Sequence, residues 1–262
     1  MLLYLEYLPS LLVAMARIYP CALLVPAFSF QHIRGMPRHV IVMVMALIPA
    51  PGIHAVMSGQ DYSALMITGL ILKEATLGFL LGILLAMPFW MFESVGALLD
   101  NQRGALAGGQ LNPSLGPDAT PIGHLFKQLV IYLLIVVLGL SVLTQVIWDS
   151  YLIWPATAWL PLPAINGFSV FLGVLGDTFT HMMLYAAPFI AVLLFLEFGF
   201  AVLGLYSPQL QVSTLATPVK CLAGLGVLLL YFPLLQDLIV TRMAQLADLK
   251  HSIGLMFQGV AP

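Results

Sequence analysis

Long hydrophobic runs separated by short polar links make up most of this 262-residue chain. One run, from Gln128 to Trp148, has 21 residues and no formal charge. As an α-helix it would be about 31 Å long, close to the thickness of the hydrocarbon core of a bilayer. The pattern predicts an all-α membrane protein with about six hydrophobic segments.

The segments are expected to form long, kinked helical hairpins, because several of the 18 prolines fall inside hydrophobic runs. A helix over 174–206 would be about 50 Å long, which requires tilt or protrusion from a bilayer. We divide the chain into an N-terminal hydrophobic hairpin (1–63), a central hairpin (64–148), and an interface linker with a C-terminal hairpin and a short exposed amphipathic tail (149–262). Segments are predicted at 9–30, 40–57, 64 to beyond 92, 128–148, 174–206 and 219–238.

A polar stretch rich in glycine and proline, from Glu93 to Lys127, follows the third segment. It is either a solvent loop or a pore-facing hairpin, in which glycines permit tight turns and amides line a wet path without fixed charge. Under the second interpretation the pore or gate candidates are Asn101, Gln102, Arg103, Gly108, Gly109, Gln110 and Asn112.

Charged residues inside hydrophobic runs are a second set of candidates. Glu197 is the only charge between Thr178 and Val219. An intramembrane carboxylate suggests a proton or ion site, unless a partner side chain or water above the bilayer meets it. We expect it to be buried. Lys73 and Glu74 are more simply read as an interface or local ion pair than as a transport site.

Small residues at four-residue spacing, Gly78, Gly82 and Ala86, give the third segment a nearly flat helix face. Such a face lets another helix approach closely, so these three positions are predicted to be helix-packing sites.

Composition narrows the functions further. Only 8% of residues are charged, against about a quarter in soluble domains. The net charge of -2 and the lack of basic runs argue against nucleic-acid binding. Six histidines without metal-ligand spacing, and two cysteines 200 positions apart, predict no metal, no cofactor and no enzymatic activity.

Three stretches of the chain carry a family pattern, namely Lys73–Gly104, Leu111–Gly123 and Ser207–Gly226. They resemble the FliR/SctT export-gate proteins of flagellar and virulence type III secretion systems. The last resembles the C-terminal signature of the family, a Pro-Gln before a polar turn and a Pro-x-Lys that opens the last helix. The resemblance makes Pro208, Gln209, Gln211, Pro218 and Lys220 candidates for an entrance turn or partner interface.

The resemblance implies a multi-pass subunit of the bacterial inner membrane, within an assembly raised towards the periplasm. Its implied partners are several copies each of SctR-like and SctS-like subunits, an SctU-like switch protein, the inner-rod and needle base, and unfolded proteins in transit. Gly139-Leu140-Ser141 stands where flagellar members usually carry Gly-His, which favours the virulence branch. The alternatives are the flagellar counterpart, a secondary solute transporter with Glu197 as coupling carboxylate, and, more weakly, a membrane enzyme.

Overall fold

Helices form all the regular structure in the part of the chain that the computed structural model describes. That part comprises residues 2–28, 33, 35–59, 62–104, 120–158, 167–206 and 212–256. Nine α-helices lie within it: α1 (Leu2–Leu24), α2 (Met36–Ala46), α3 (Ala50–Met57), α4 (Ala64–Gln102), α5 (Pro121–Leu133), α6 (Ser141–Ile153), α7 (Gly167–Tyr206), α8 (Val212–Ala244) and α9 (Leu249–Met256).

Five helical segments are long and apolar enough to cross a bilayer, by length and composition. A sixth is obtained if α2 and α3 count as one broken span, since they are bent by 65° at the turn before Ala50. Pro49 and Pro51 lie at this turn, and neither can continue the hydrogen-bonding ladder of α2. The predicted fold class, an all-α membrane protein with about six hydrophobic segments, is therefore confirmed.

The uncharged run 128–148 is not one uninterrupted helix, so that prediction is wrong. The helix α5 passes into a π-helical turn at Leu134–Leu138, and α6 begins only at Ser141. Gly139 separates them with φ of +79°, a left-handed conformation that ends a helix and that glycine adopts without steric cost.

The helix limits differ from the predicted ones at three further places, namely the polar stretch, the last long helix and the start of α7. The polar stretch is partly helical, because α4 continues to Gln102 and α5 starts at Pro121. The last long helix begins at Val212, so Pro218 and Lys220 lie within α8 and do not open it. Helix α7 has 40 residues, because it begins at Gly167 and not near position 174 as predicted.

The backbone forms two compact units, and each draws on separated stretches of the chain. The first unit consists of Met1–Met87, Leu138–Leu175 and Met243–Pro262, and its core includes Ile18 and Leu84. The second consists of Pro88–Val137 and Gly176–Arg242. Large aromatic residues dominate the second core, notably Phe89, Phe92, Phe126 and Phe189.

The tail is not simply an exposed amphipathic helix, as had been expected. A 3₁₀ turn at Gln245–Asp248 leads into α9, and both contact α6 within the first unit. Leu246, Ile253 and Met256 are buried there. The tail packs against α6 because its few apolar residues lie on the same side of the tail.

Candidate functional site

A buried ionic cluster joins three helices of the first unit. Arg17 on α1 is 1% exposed, and Glu74 on α4 is fully buried. The guanidinium donates to both carboxylate oxygens, from Nε at 2.6 Å and from Nη2 at 3.0 Å. This two-pronged geometry is the strongest form of an ion pair, and it fixes the orientation of both side chains.

Further bonds tie α6 and the segment after it to the cluster. Arg17 donates to the hydroxyl of Ser150 at 3.1 Å and to the carbonyl of Trp154 at 2.9 Å. Its guanidinium lies 4.0 Å from the centre of the Tyr151 ring, a cation–π contact. Each of the three guanidinium nitrogens therefore has at least one acceptor, as a buried charge requires.

Lys73 completes the cluster. Its ammonium lies 2.8 Å from the Glu74 carboxylate and donates to the carbonyls of Ala156 and Ala158. The ion pair expected between Lys73 and Glu74 exists, but the dominant partner of Glu74 is Arg17, which sequence reasoning missed. The only signal was a lone arginine inside a hydrophobic run. With two cations and one anion locked by short bonds, the cluster is suited to bracing helices rather than to chemistry.

The small residues of α4 lie where this helix meets α1. A methyl group on Gly78 would collide with the Arg17 carbonyl oxygen, and one on Gly82 would lie 2.9 Å from the Cα of Cys21. Ala86 is fully buried on the same face. Close approach of the two backbones at this spacing brings Arg17 within reach of Glu74.

In the second unit, Asp100 fixes the base of the polar stretch. Its carboxylate is fully buried at the end of α4. One oxygen accepts from the backbone N–H groups of Ile122 at 2.8 Å and Gly123 at 3.3 Å. These are free donors of the first turn of α5, and a carboxylate there also complements the helix dipole. The side chain of the N-cap residue, Thr120, makes no capping bond, so Asp100 caps α5 from another helix.

Two more contacts hold α4 against α5. Lys127 reaches the Glu93 carboxylate at 3.1 Å. The backbones also touch, because a methyl on Gly96 would lie 2.7 Å from the Cα of Gly123. The end of α4 and the start of α5, which flank the polar stretch 105–119, are therefore held against each other.

The pore candidates divide between described and undescribed residues. Asn101 and Gln102 lie in the last turn of α4, not in a loop, and Asn101 is exposed. Arg103 pairs with Asp100 at 2.5 Å and is only 13% exposed, so it belongs to the junction of α4 and α5 in the second unit, which we call the hairpin base. Outside the described residues lie Gly108, Gly109, Gln110 and Asn112.

The start of α8 also reaches this base. The thiol of Cys221 donates to the Arg103 carbonyl at 3.7 Å, and the Thr217 methyl lies 3.8 Å from where Gly104 would carry a Cβ. Gly104 has φ of +81°, a conformation that favours glycine. The hairpin base thus has three contributors within the second unit, namely the end of α4, the first turn of α5 and the early turns of α8.

The structure does not bury Glu197, contrary to expectation. Its side chain is 55% exposed and lies 3.1 Å from the ammonium of Lys220, which is 16% exposed. The charge therefore has the partner side chain that the simpler interpretation required, and the pair gives no support to a coupling carboxylate. Of the other entrance-turn candidates, Pro218 is exposed on α8, whereas Pro208, Gln209 and Gln211 lie outside the described residues. Within the described part of the chain, no group of three or more His, Cys, Asp or Glu side chains could hold a metal ion.

Together, the long apolar helices define a multi-span helical membrane protein, in which Asp100 joins the end of α4 to the start of α5 on either side of the polar stretch 105–119. The chain belongs to the bacterial export proteins of family 1, whose sequence model it matches over residues 8–246. This confirms the resemblance to the FliR/SctT proteins of type III secretion.

Relatives from both branches of that family are similar to the chain. It is 31% identical over 219 residues to the Yop proteins translocation protein T of Yersinia pestis, covering 82% of each chain. It is 28% identical over 225 residues to the surface presentation of antigens protein SpaR of Salmonella typhimurium, covering 85% of this chain and 82% of SpaR. Over 215 residues it is 22% identical to the flagellar biosynthetic protein FliR of Caulobacter vibrioides, covering 82% and 85% respectively.

Proposed function

We propose that this protein is a structural, non-enzymatic subunit of a type III export gate in the bacterial inner membrane. It helps to form and gate the channel that passes unfolded effector, rod and needle proteins. Membership of the export family supports this role. The higher identity to the Yersinia and Salmonella translocation relatives than to the flagellar one supports the virulence branch.

The observation that carries the gating role is the Asp100 clamp. It holds together the described residues on either side of the polar stretch 105–119, through bonds to Ile122 and Gly123, and Asp118 is the only formal charge in that stretch. A polar lining without formal charge, such as residues 105–112 would provide, suits a channel that must accept any unfolded sequence without retaining it. In this proposal the residues from Asn101 to Asn112, apart from the paired Arg103, face the closed conduit. The turn with Gln209 and Gln211 lies near its cytoplasmic entrance.

The proposed assembly explains why so much apolar surface is exposed. Only 11% of the most apolar window of α7 is buried within the chain, and 17% in the last long helical segment. Several copies of SctR-like and SctS-like subunits would cover these faces, with an SctU-like switch protein and the inner-rod and needle base adjoining. The gate would be raised towards the periplasm, where the thickness of the bilayer does not limit the length of a helix.

Charge placed in the polar stretch tests the proposal. We expect Gly108→Lys to change membrane conductance or secreted-protein yield, because a fixed charge in a narrow uncharged passage alters what can enter it. Assembly should persist, measured as co-purification with the neighbouring subunits by native mass spectrometry. Gly59→Lys is the matched control, because Gly59 is exposed in the turn after α3 and its nearest neighbour would be a backbone oxygen at 3.7 Å. Secretion and leak unchanged in Gly108→Lys would contradict a conduit role for this segment.

A further inference from the structure

An open groove of about 490 Å³ lies in the first unit between α3 and α6. Its walls are the faces that carry Gly52, Ile53 and Val56 on one helix and Trp148 and Leu152 on the other. Val56 and Leu152 are 49% and 76% exposed, so the groove opens onto an apolar surface. The Cβ direction of Gly52 points into free space, with no atom within 4 Å.

Opposite charges stand at the edge of this groove. Asp149, one of its lining residues, accepts from Gln145 Nε2 at 3.1 Å and pairs with the Lys250 ammonium at 3.1 Å. The Lys250 side chain is half exposed, whereas Asp149 is 15% exposed. A carboxylate in the lining of the groove therefore has a half-exposed ammonium as its partner, and a zwitterionic amphiphile would match this pair of charges.

We propose that this groove holds an acyl chain of an aminophospholipid, with the lipid amine on Asp149 and the lipid phosphate on Lys250. The exposed apolar side chains of Val56 and Leu152 suit a hydrocarbon chain, and the Asp149–Lys250 pair beside them suits a headgroup that carries both charges.

The headgroup preference follows from donor chemistry. A primary ammonium carries three N–H donors and can make a charge-assisted bond to the Asp149 carboxylate. A quaternary choline nitrogen has no N–H donor, and a glycerol headgroup has no cation at all. The groove should therefore bind phosphatidylethanolamine more tightly than phosphatidylcholine or phosphatidylglycerol with the same acyl chains.

The test is native mass spectrometry of the full-length, delipidated chain with these three lipids at equal concentrations. We expect phosphatidylethanolamine to bind about tenfold more tightly than the other two, the equivalent of about 1.4 kcal/mol. Gly52→Phe should abolish this binding by filling the groove. Gly173→Phe is the matched control, since Gly173 also lies on an exposed helix surface with no atom within 4 Å of its Cβ position. Equal lipid binding by both variants would overturn the proposal.

A second variant keeps the shape of the groove and changes only its charge. Asp149→Asn should still bind lipid, but with the preference for phosphatidylethanolamine over phosphatidylcholine reduced about tenfold. An unchanged preference would show that Asp149 does not bind the amine. A photoreactive side chain at Val56 distinguishes a lipid from a neighbouring protein as the occupant of the groove. In assembled membranes we expect it to cross-link to lipid. Linkage to a neighbouring protein instead would mean that the groove is a subunit interface.

Discussion

The buried pair Arg17–Glu74 allows a prediction in which removing two charges is less harmful than removing one. The perturbation is a set of three variants, Arg17→Met, Glu74→Met and the double substitution. Methionine is unbranched and fills irregular space, so it replaces either side chain with little steric conflict.

The magnitude follows from the bonds. Glu74→Met deletes three contacts of 2.6, 2.8 and 3.0 Å and leaves Arg17 and Lys73 as uncompensated cations. Removing one partner of a buried pair costs about 3–5 kcal/mol, which lowers the ratio of folded to unfolded protein roughly 150- to 5,000-fold. The double variant should lose much less, because apolar replacement of both partners is often neutral. Lys73 then retains the carbonyls of Ala156 and Ala158.

The assay is equilibrium unfolding of the full chain in mixed detergent micelles, followed by tryptophan fluorescence. Trp154 is a local probe, since Lys73 Nζ lies 5.8 Å from its ring centre and its carbonyl accepts from Arg17. Glu197→Gln serves as the control, because Glu197 belongs to a half-exposed pair that should contribute no more than about 1 kcal/mol. If the double variant is destabilised by the sum of the two single variants, the two charges are independent and the account of the cluster is refuted.

Two further substitutions test the packing and the clamp. Asp100→Ala should raise the rate of amide hydrogen exchange at Ile122 and Gly123 and increase membrane leak, because it removes the acceptor of both N–H groups. The loss should cost about 1–3 kcal/mol. Exchange no faster than in the unmodified chain would exclude a capping role. Gly78→Ala should lower the thermal midpoint, because it forces a methyl group against the Arg17 carbonyl. Gly173→Ala, with open space around it, should instead stabilise the fold by about 0.4–1 kcal/mol. Equal effects of the two substitutions would contradict the close contact of α1 and α4.

Hydropathy and proline placement predicted most of the helical framework. A run of apolar residues long enough to cross a bilayer must form its backbone hydrogen bonds within itself. A single segment achieves this as an α-helix. Kinks were predicted from prolines inside hydrophobic runs, and at two of these, Pro49 and Pro51, the structure bends by 65°. These features are local, so the sequence carries them directly.

Local patterns could not show the break at Gly139 or the true bounds of the polar stretch. The run through Gly139 is as hydrophobic as an unbroken span, and only the left-handed backbone of one glycine divides it. In the same way, Glu93–Gln102 reads as polar linker, yet it is helical because Glu93 and Asp100 are satisfied by Lys127 and by the start of α5. Polar side chains that find partners across a hairpin do not end a helix.

The candidate sites show the same limit. Lys73 and Glu74 were recognisable as a pair because they are adjacent, whereas Arg17 lies 57 positions from Glu74. Asp100 attracted no separate prediction, since nothing in its own segment reveals the two N–H donors that meet it 22 and 23 positions later. Long-range electrostatic partners depend on how helices pack, and one sequence does not state that packing.

The distance along the chain between Arg17 and its partners has a consequence for biogenesis. At a synthesis rate of about 5–20 residues per second, Glu74 emerges roughly 3–11 s after Arg17, and Trp154 roughly 7–27 s after it. During that interval the first helix carries an uncompensated cation, which is costly in the hydrocarbon core. We therefore expect stable insertion of α1 to await the synthesis of α4, and α1 to require a hydrated or chaperoned environment until then.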